Sequence, residues 1–374
     1  MPYLDGLRAL AAIYVVLHHM WLQVWPIELG RHPDMQTAQY TQWMYFGNYA
    51  VTFFLVISGF CLMLPVIRHG GSRGGWQEFY RRRSIRILPP YYFSMALSIV
   101  LIVTLIGRQT GSHWDISVPL TARGLLIHLF LLQNLIQSYN INHVLWSTAV
   151  EFQIYLVFPL LVILWNRIGP LASTLATAAL GAGLYAACSH LNLAIESPHY
   201  VGVFAIGMFA AGLCSLRGDG WSRLRSLPWG MLVAAGSLVV VGLCAHFGTI
   251  RPHTEPMDFL VAMVAGGFLI YGYLMPDTLW NRILACKPLS AIGLFSYSLY
   301  LVHAPLIQVI WQYAIHPLGL SDADTFLMLI CAGIPIIIAA SYLFYLTCEL
   351  PFVPKRADRP NAPRAITSTF VNKL

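Results

Sequence analysis

Eleven stretches of mostly apolar residues recur along the chain, near 7–25, 43–66, 90–107, 122–138, 145–165, 170–188, 199–216, 228–246, 256–275, 290–313 and 324–347. A hydrocarbon layer about 30 Å thick takes roughly 20 helical residues to cross, so most of these stretches are long enough to span it. Lipid offers no partner to a backbone amide, and runs of this length and apolarity satisfy their own amides only as helices. The expected fold is therefore all-α, a polytopic membrane bundle. The stretch 122–138 is the weakest candidate: it is short, begins beside Arg123 and holds His128, Gln133 and Asn134. It is expected to lie at the interface or to re-enter, which leaves about ten spans. Composition agrees, with 57% apolar and 10% charged residues against roughly a quarter charged in a soluble domain. That excludes a cytosolic enzyme, a disordered chain and a secreted disulfide scaffold.

Ten spans can be tested against the distribution of basic residues, which collect at cytoplasmic helix ends. With the N-terminus inside, 18 of the 22 Lys and Arg fall in inner segments, and only Arg31, Arg108, Arg123 and Arg251 fall outside. Both termini are thus expected in the cytoplasm, in a multi-pass protein of the inner (plasma) membrane. An eleventh span would turn the basic 217–225 loop and the basic tail outward. The net charge of +7 lies in short clusters between apolar runs, not on one continuous face, so no nucleic-acid partner is expected. Seven cysteines show no CxxC spacing, and neither a disulfide framework nor a metal site is expected from them. The whole of 1–374 reads as one membrane domain whose last span ends near 347. Residues 348–374 form a cytoplasmic tail, and no fused periplasmic domain is expected.

Ionisable side chains inside a bilayer are costly unless they face a polar cavity or a partner, so each is a functional candidate. Arg8 and His19 are eleven residues apart on the first helix, roughly 16 Å of rise but only about 20° of rotation, and so share a face. His18 lies about 80° off it. The stripe suits a link between an inner ligand and chemistry within the membrane. Its bland counterpart is an Arg8 that snorkels to the interface and histidines bonded to backbone carbonyls. In FFLVISGF, Ser58 and Gly59 are small enough for close helix approach, and packing is the ordinary role of such a pair. Arg81, Arg82, Arg83 and Arg86 form an inner cluster suited to a polyphosphate, since guanidinium binds phosphate oxygens in bidentate fashion. An orientation signal facing anionic lipid would look the same. Ser147, Glu151 and Tyr155 share one helix face, as do Ser296, Tyr300 and His303. Glu151 is the clearest buried acid, and its depth is expected to bring it to His19 as an orienting partner. A structural ion pair with an arginine is the alternative for Glu151, and a satisfied packing histidine the alternative for His303. Trp25, Trp43 and Trp165 read as interfacial belts.

Taken in order, Arg8-x10-His19, FFLVISGF, Arg83-x-x-Arg86-Ile87-x-Pro89, Trp146-Ser147 with Glu151 and Tyr155, SYSLYLVHAP, and the closing CELPF with Glu349 and Pro351 resemble acyltransferase family 3. These are bacterial integral-membrane enzymes that acylate saccharides and related molecules. The resemblance runs through nearly the whole chain. It departs at Phe152, where the family often carries a second acid after the one at Glu151. The resemblance implies acyl transfer, with acetyl as the expected group, from acyl-CoA to a hydroxyl of a saccharide or glycosylated acceptor. It casts His19, Arg8 and Glu151 as catalytic. Arg82, Arg83, Arg86 and Ser58 would lie on the CoA side, and Trp146, Tyr155, Tyr300 and His303 on the acceptor side. Acyl-CoA would be a co-substrate and no metal is expected. The runner-up is a transporter or flippase whose permeation path is lined by the same polar stripe, although the related halves common in transporters are not visible.

Overall fold

The computed structural model describes residues 1–72, 74–193, 195–247 and 255–353, and every regular element among them is helical. Eight helices are long and apolar enough to cross a membrane, and the number rises to ten if each of two bent pairs counts as one span. Those pairs are Tyr200–Ser215 with Asp219–Arg225, bent by 106°, and Lys287–Leu294 with Ser296–Leu318, bent by 75°. The ten match the spans expected from the sequence. Arg73, Arg251, Lys355, Arg356, Arg359, Arg364 and Lys373, which entered the orientation count, lie outside the described residues.

The first helix, Pro2–Val24, starts with a proline whose missing N–H costs nothing in the first turn and stops at Trp25 before Pro26. It is central: residues Ala9, Ala12, Met20 and Trp21 are almost completely buried. Beside it, Tyr49–His69 crosses Tyr200–Ser215 at a double glycine notch. A Cβ on Gly59 would lie 2.2 Å from the Phe204 carbonyl oxygen, and one on Gly207 would lie 2.1 Å from that of Val56. No other residue allows backbones this close, and in lipid such packing takes the place of a hydrophobic driving force between helices. Gly59 therefore fulfils the packing role, while its neighbour Ser58 turns elsewhere. The helix Trp229–Phe247 lies at the other extreme, packing one face on Glu255–Leu274 through Val233 and Gly236 and leaving most of its other residues exposed to lipid.

The stretch 122–138 does not span. Its only regular helix is Ala122–Leu129, eight residues long, and the chain then turns through Leu131, Gln137 and Ile141 at positive φ. Its polar residues tie this irregular backbone down, as polar side chains must wherever backbone is unwound at membrane depth. Gln133 donates to the Tyr91 hydroxyl at 3.1 Å and the Leu145 carbonyl at 2.9 Å. Asn134 and Gln153 exchange amide hydrogen bonds of 3.0 and 2.8 Å. Ile141, at φ 71° and completely buried, is a strained position for a β-branched residue, held by its surroundings. It stands two residues before His143.

The tryptophan reading needs correction. Trp25 is 2% and Trp165 6% exposed, so both belong to the protein interior. Trp25 packs on Trp21 and Phe326 at centroid distances of 5.6 and 5.1 Å. Only Trp43, half exposed, has the openness expected of a belt residue.

Candidate active site

Two cavities lie in the bundle and share the side chains of Val51 and Tyr300. The smaller, about 170 Å³, is lined by Arg8, Arg83, Arg86, Glu151, Tyr155 and Ser58, among others. The larger, about 510 Å³, includes His18, His19, His113, His143, His199 and Asp258 in its walls. We refer to them as the basic cavity and the histidine cavity.

In the basic cavity the Tyr155 hydroxyl donates to the Glu151 carboxylate. A phenol has one proton, so the Ser58 hydroxyl, 2.5 Å from the Tyr155 oxygen, donates to Tyr155 in turn. Serine, tyrosine and glutamate thus form a directional chain. Arg83 stands over the Tyr155 ring, 5.6 Å from its centroid, which holds a cation beside the chain. Arg8 donates to Asp5 at 3.3 Å and to the Cys61 sulfur at 3.4 Å. Arg82 is different: it pairs with Glu78 at 3.3 Å and is not among the lining residues of this cavity. Arg81 uses the same carboxylate at 2.7 Å. Two of the four clustered arginines therefore reach the cavity: Arg83 and Arg86, three residues apart, share a helix face, and Arg81 and Arg82 point away from it.

The histidine cavity holds the other half of the expected site. His19 Nδ1 lies 3.4 Å from His143 Nε2, and its ring centroid is 5.0 Å from that of His303. Glu151 does not meet His19. The helix carrying Glu151 begins at Trp146, as the run 145–165 predicts, but Trp146 lies in the wall of the histidine cavity and Glu151, more than a turn further on, in the wall of the basic one. Trp146 lines the first and Ser147 the second, where Ser147 donates to the Tyr300 hydroxyl at 2.5 Å while Tyr300 donates to the Val144 carbonyl at 2.9 Å. Trp146 stacks on Tyr200 with centroids 6.0 Å apart and planes 18° from parallel. His303 is completely buried, its Nδ1 on the Tyr300 carbonyl at 2.7 Å and its Nε2 without a partner.

Several groups here escaped the sequence reading. His143 stood in view three residues before Trp146. Asp258, 4% exposed, sits in an apolar run and met the same rule that singled out Glu151. It accepts from Thr52 at 2.6 Å and pairs with His199 at 3.0 Å. His113, hydrogen-bonded to Glu28, lies in a segment outside the eleven runs and is brought in by tertiary folding alone. At the rim, burial pushes the Tyr139 phenol up, and its Glu196 partner adds to the shift.

A family model described as an acyltransferase domain, acyltransferase family 3, matches residues 1–346. An O-acetyltransferase, OatA, of Staphylococcus aureus is 26% identical over 338 residues, covering 84% of this chain and 51% of the relative. A peptidoglycan O-acetyltransferase, OatA, of Listeria monocytogenes is 24% identical over 83% of this chain and 50% of its own length. A putative peptidoglycan O-acetyltransferase, YrhL, of Bacillus subtilis is 24% identical over 82% and 48%. The chain spans about half the length of the curated relatives it matches. No solved structure is significantly similar.

Proposed function

The chain belongs to acyltransferase family 3, and from that premise we propose that it moves an acyl group, acetyl first among the candidates, from acyl-CoA to a hydroxyl of a saccharide acceptor. The observation that carries the reading is the pair of chemically opposite cavities meeting at Tyr300 and Val51. Arginines suit the CoA phosphates, and an aromatic, hydroxyl-rich chamber suits a sugar. With the N-terminus cytoplasmic, the basic cavity opens toward the CoA pool, and the histidine cavity faces the outer leaflet. The relatives' names make a peptidoglycan-type glycan the first acceptor to try.

In this scheme Arg83 and Arg86 hold phosphate oxygens and Arg8 positions the thioester arm. Arg82, engaged by Glu78, adds only general positive charge. The Ser58, Tyr155 and Glu151 chain orders the donor end. Trp146 and Tyr200 offer a stacked face to the sugar, Tyr300 borders the junction, and His303, which lines neither cavity, backs His19 from the interior. His19 is the centre at which the acceptor hydroxyl is activated. The acceptor oxygen bonds to the acyl carbon as the carbon–sulfur bond breaks, and the hydroxyl proton ends on the CoA sulfur. Single domain organisation over 1–374 fits this scheme.

The test uses the purified chain in nanodiscs, measuring acetyl-CoA binding and thioester consumption with candidate glycans. Arg86→Ala is expected to weaken CoA binding roughly tenfold, the size of one charge-assisted hydrogen bond. His19→Ala should keep binding and lose turnover. Wild-type protein that neither binds CoA nor consumes thioester, but moves an unmodified glycan across the bilayer, would establish the transporter reading instead.

A further inference from the structure

We propose that His19, His113 and His143 form a binding site for a divalent transition metal, zinc above all, with its open position toward the histidine cavity. The three residues come from separate segments, His143 lying 124 residues beyond His19. One ligand atom from each lies within 4.8 Å of the other two. The His19 Nδ1 to His143 Nε2 distance of 3.4 Å matches the separation of two nitrogens that share a tetrahedral zinc with bonds of about 2.0–2.1 Å.

The partners behind the rings point the same way. The Nδ1 of His113 is bonded to the Glu28 carboxylate, which can only accept. A neutral His113 therefore carries its proton on Nδ1 and a bare lone pair on Nε2. The Nδ1 of His143 is 3.0 Å from the Ser117 oxygen, which also accepts the His143 backbone N–H at 3.0 Å. Two of the three imidazoles thus have an oxygen behind the ring, and the carboxylate behind His113 is the kind of partner that fixes tautomer and ring angle in metal-binding histidines. Next to the cluster, the completely buried His303 leaves its Nε2 without a partner.

The donor set selects the ion. Three imidazoles with no cysteine favour zinc or a neighbour in the first transition row over calcium or magnesium, which take oxygen ligands. Three protein ligands also leave a fourth position open, the pattern of sites that polarise a bound oxygen. All three histidines line the cavity that would receive the acceptor. The use of the ion rests on the acyl-transfer reading: it would polarise the acceptor hydroxyl, and His19 would act through it. Its existence does not rest on that reading.

The experiment takes the full chain, purified without chelator and with its affinity tag removed. Bound metal is measured by mass spectrometry, and uptake of zinc and cobalt(II) is followed by titration. Wild type is expected to hold close to one equivalent of metal and to show the visible absorption of four-coordinate cobalt. His113→Ala and His143→Ala should lose both, while His199→Ala, in the same cavity but paired with Asp258, should keep them. Glu28→Gln leaves all three ligands in place and should weaken metal affinity by about tenfold or more, so the proposal stays testable where a histidine variant fails to fold. Wild type that takes up neither metal overturns the proposal, as do histidine variants that bind like wild type. A wild type that takes up neither metal and still consumes acetyl-CoA overturns this inference alone. Zinc-loaded protein that neither binds CoA nor consumes thioester supports the metal site and overturns the acyl-transfer reading.

Discussion

Replacing Gly207 by alanine tests the bundle and the site in one step. The added methyl would stand 2.1 Å from the Val56 carbonyl oxygen, and its three nearest neighbours are all backbone atoms, so no side chain can swing away to relieve the clash. Ordinary contact starts near 3.4 Å, so the Tyr49–His69 and Tyr200–Ser215 helices must part by about 1.3 Å at this point. A gap of 0.5–1 Å already forfeits roughly a quarter to a half of the dispersion attraction between facing atoms. Overpacking of this kind costs about 1–3 kcal/mol in soluble cores and occasionally more. A backbone clash at a central crossing belongs at the upper end, near 3 kcal/mol. At about 1–2 °C per kcal/mol for a chain of 374 residues, the melting temperature in detergent should fall on the order of 3–6 °C. Because Ser58 adjoins the notch, its 2.5 Å bond to Tyr155 should loosen too, lowering turnover beyond the loss of folded protein. Gly183→Ala is the control, since nothing lies within 4 Å of its added methyl. It sits within the helix Pro170–His190, where alanine is favoured by about 0.5–1 kcal/mol. Thermal unfolding followed by size-exclusion fluorescence separates the two. If Gly207→Ala melted with Gly183→Ala, the close crossing would be wrong, and with it the placement of Ser58.

Three further outcomes follow from the site. Tyr155→Phe removes the hydroxyl that links Ser58 to Glu151 and should cut thioester consumption by about tenfold or more, the effect of losing a hydrogen bond to a charged group; unchanged kinetics would remove that chain from the mechanism. Arg8→Lys keeps the charge but loses the planar fork, so steady-state rates should fall while CoA binding changes little; full activity would rule out a geometric role for Arg8. Glu349 is buried and accepts both the backbone N–H and the hydroxyl of Ser298, at 3.2 and 2.5 Å. Glu349→Ala leaves both without that partner and should destabilise by about 1–3 kcal/mol, read as a lower melting temperature.

How much could be read beforehand differs between fold and site for a physical reason. Span number and length depend on apolar runs and on the thickness of a bilayer, both visible along the chain. The 122–138 stretch was legible too, because His128, Gln133 and Asn134 break its apolar pattern. The relative heights of neighbouring helices were not legible. The height of the Glu151 helix beside its neighbours is held by buried hydrogen bonds of the preceding loop, and these join Asn142 to Ser98 at 3.1 Å and to the Leu301 carbonyl at 3.2 Å. No local signal announces such contacts. Periodicity therefore placed Ser147, Glu151 and Tyr155 on one face correctly, yet assigned Glu151 to His19. His143 and His113 meet His19 only across large sequence separations, which spacing rules cannot see.

The turn from Trp146 to Ser147 shows how one helix can serve two chambers. Successive residues are about 100° apart on a helix, so neighbours in sequence face different walls, and here they face different cavities. Ser147 then holds Tyr300, which belongs to both. A donor in the basic cavity and an acceptor in the histidine cavity would be parted by little more than this tyrosine and Val51. Transfer would then require only the acyl group to pass the junction, while the bulk of CoA and of the glycan stays on its own side. Holding each substrate on its own side supplies orientation without a large domain closure, which in aligned intramolecular systems accounts for several kcal/mol of a barrier. A smaller side chain at Tyr300 should therefore raise loss of the acyl group to water as well as slow transfer. An unchanged ratio of acetylated glycan to free acetate in Tyr300→Ala would show that the junction lies elsewhere.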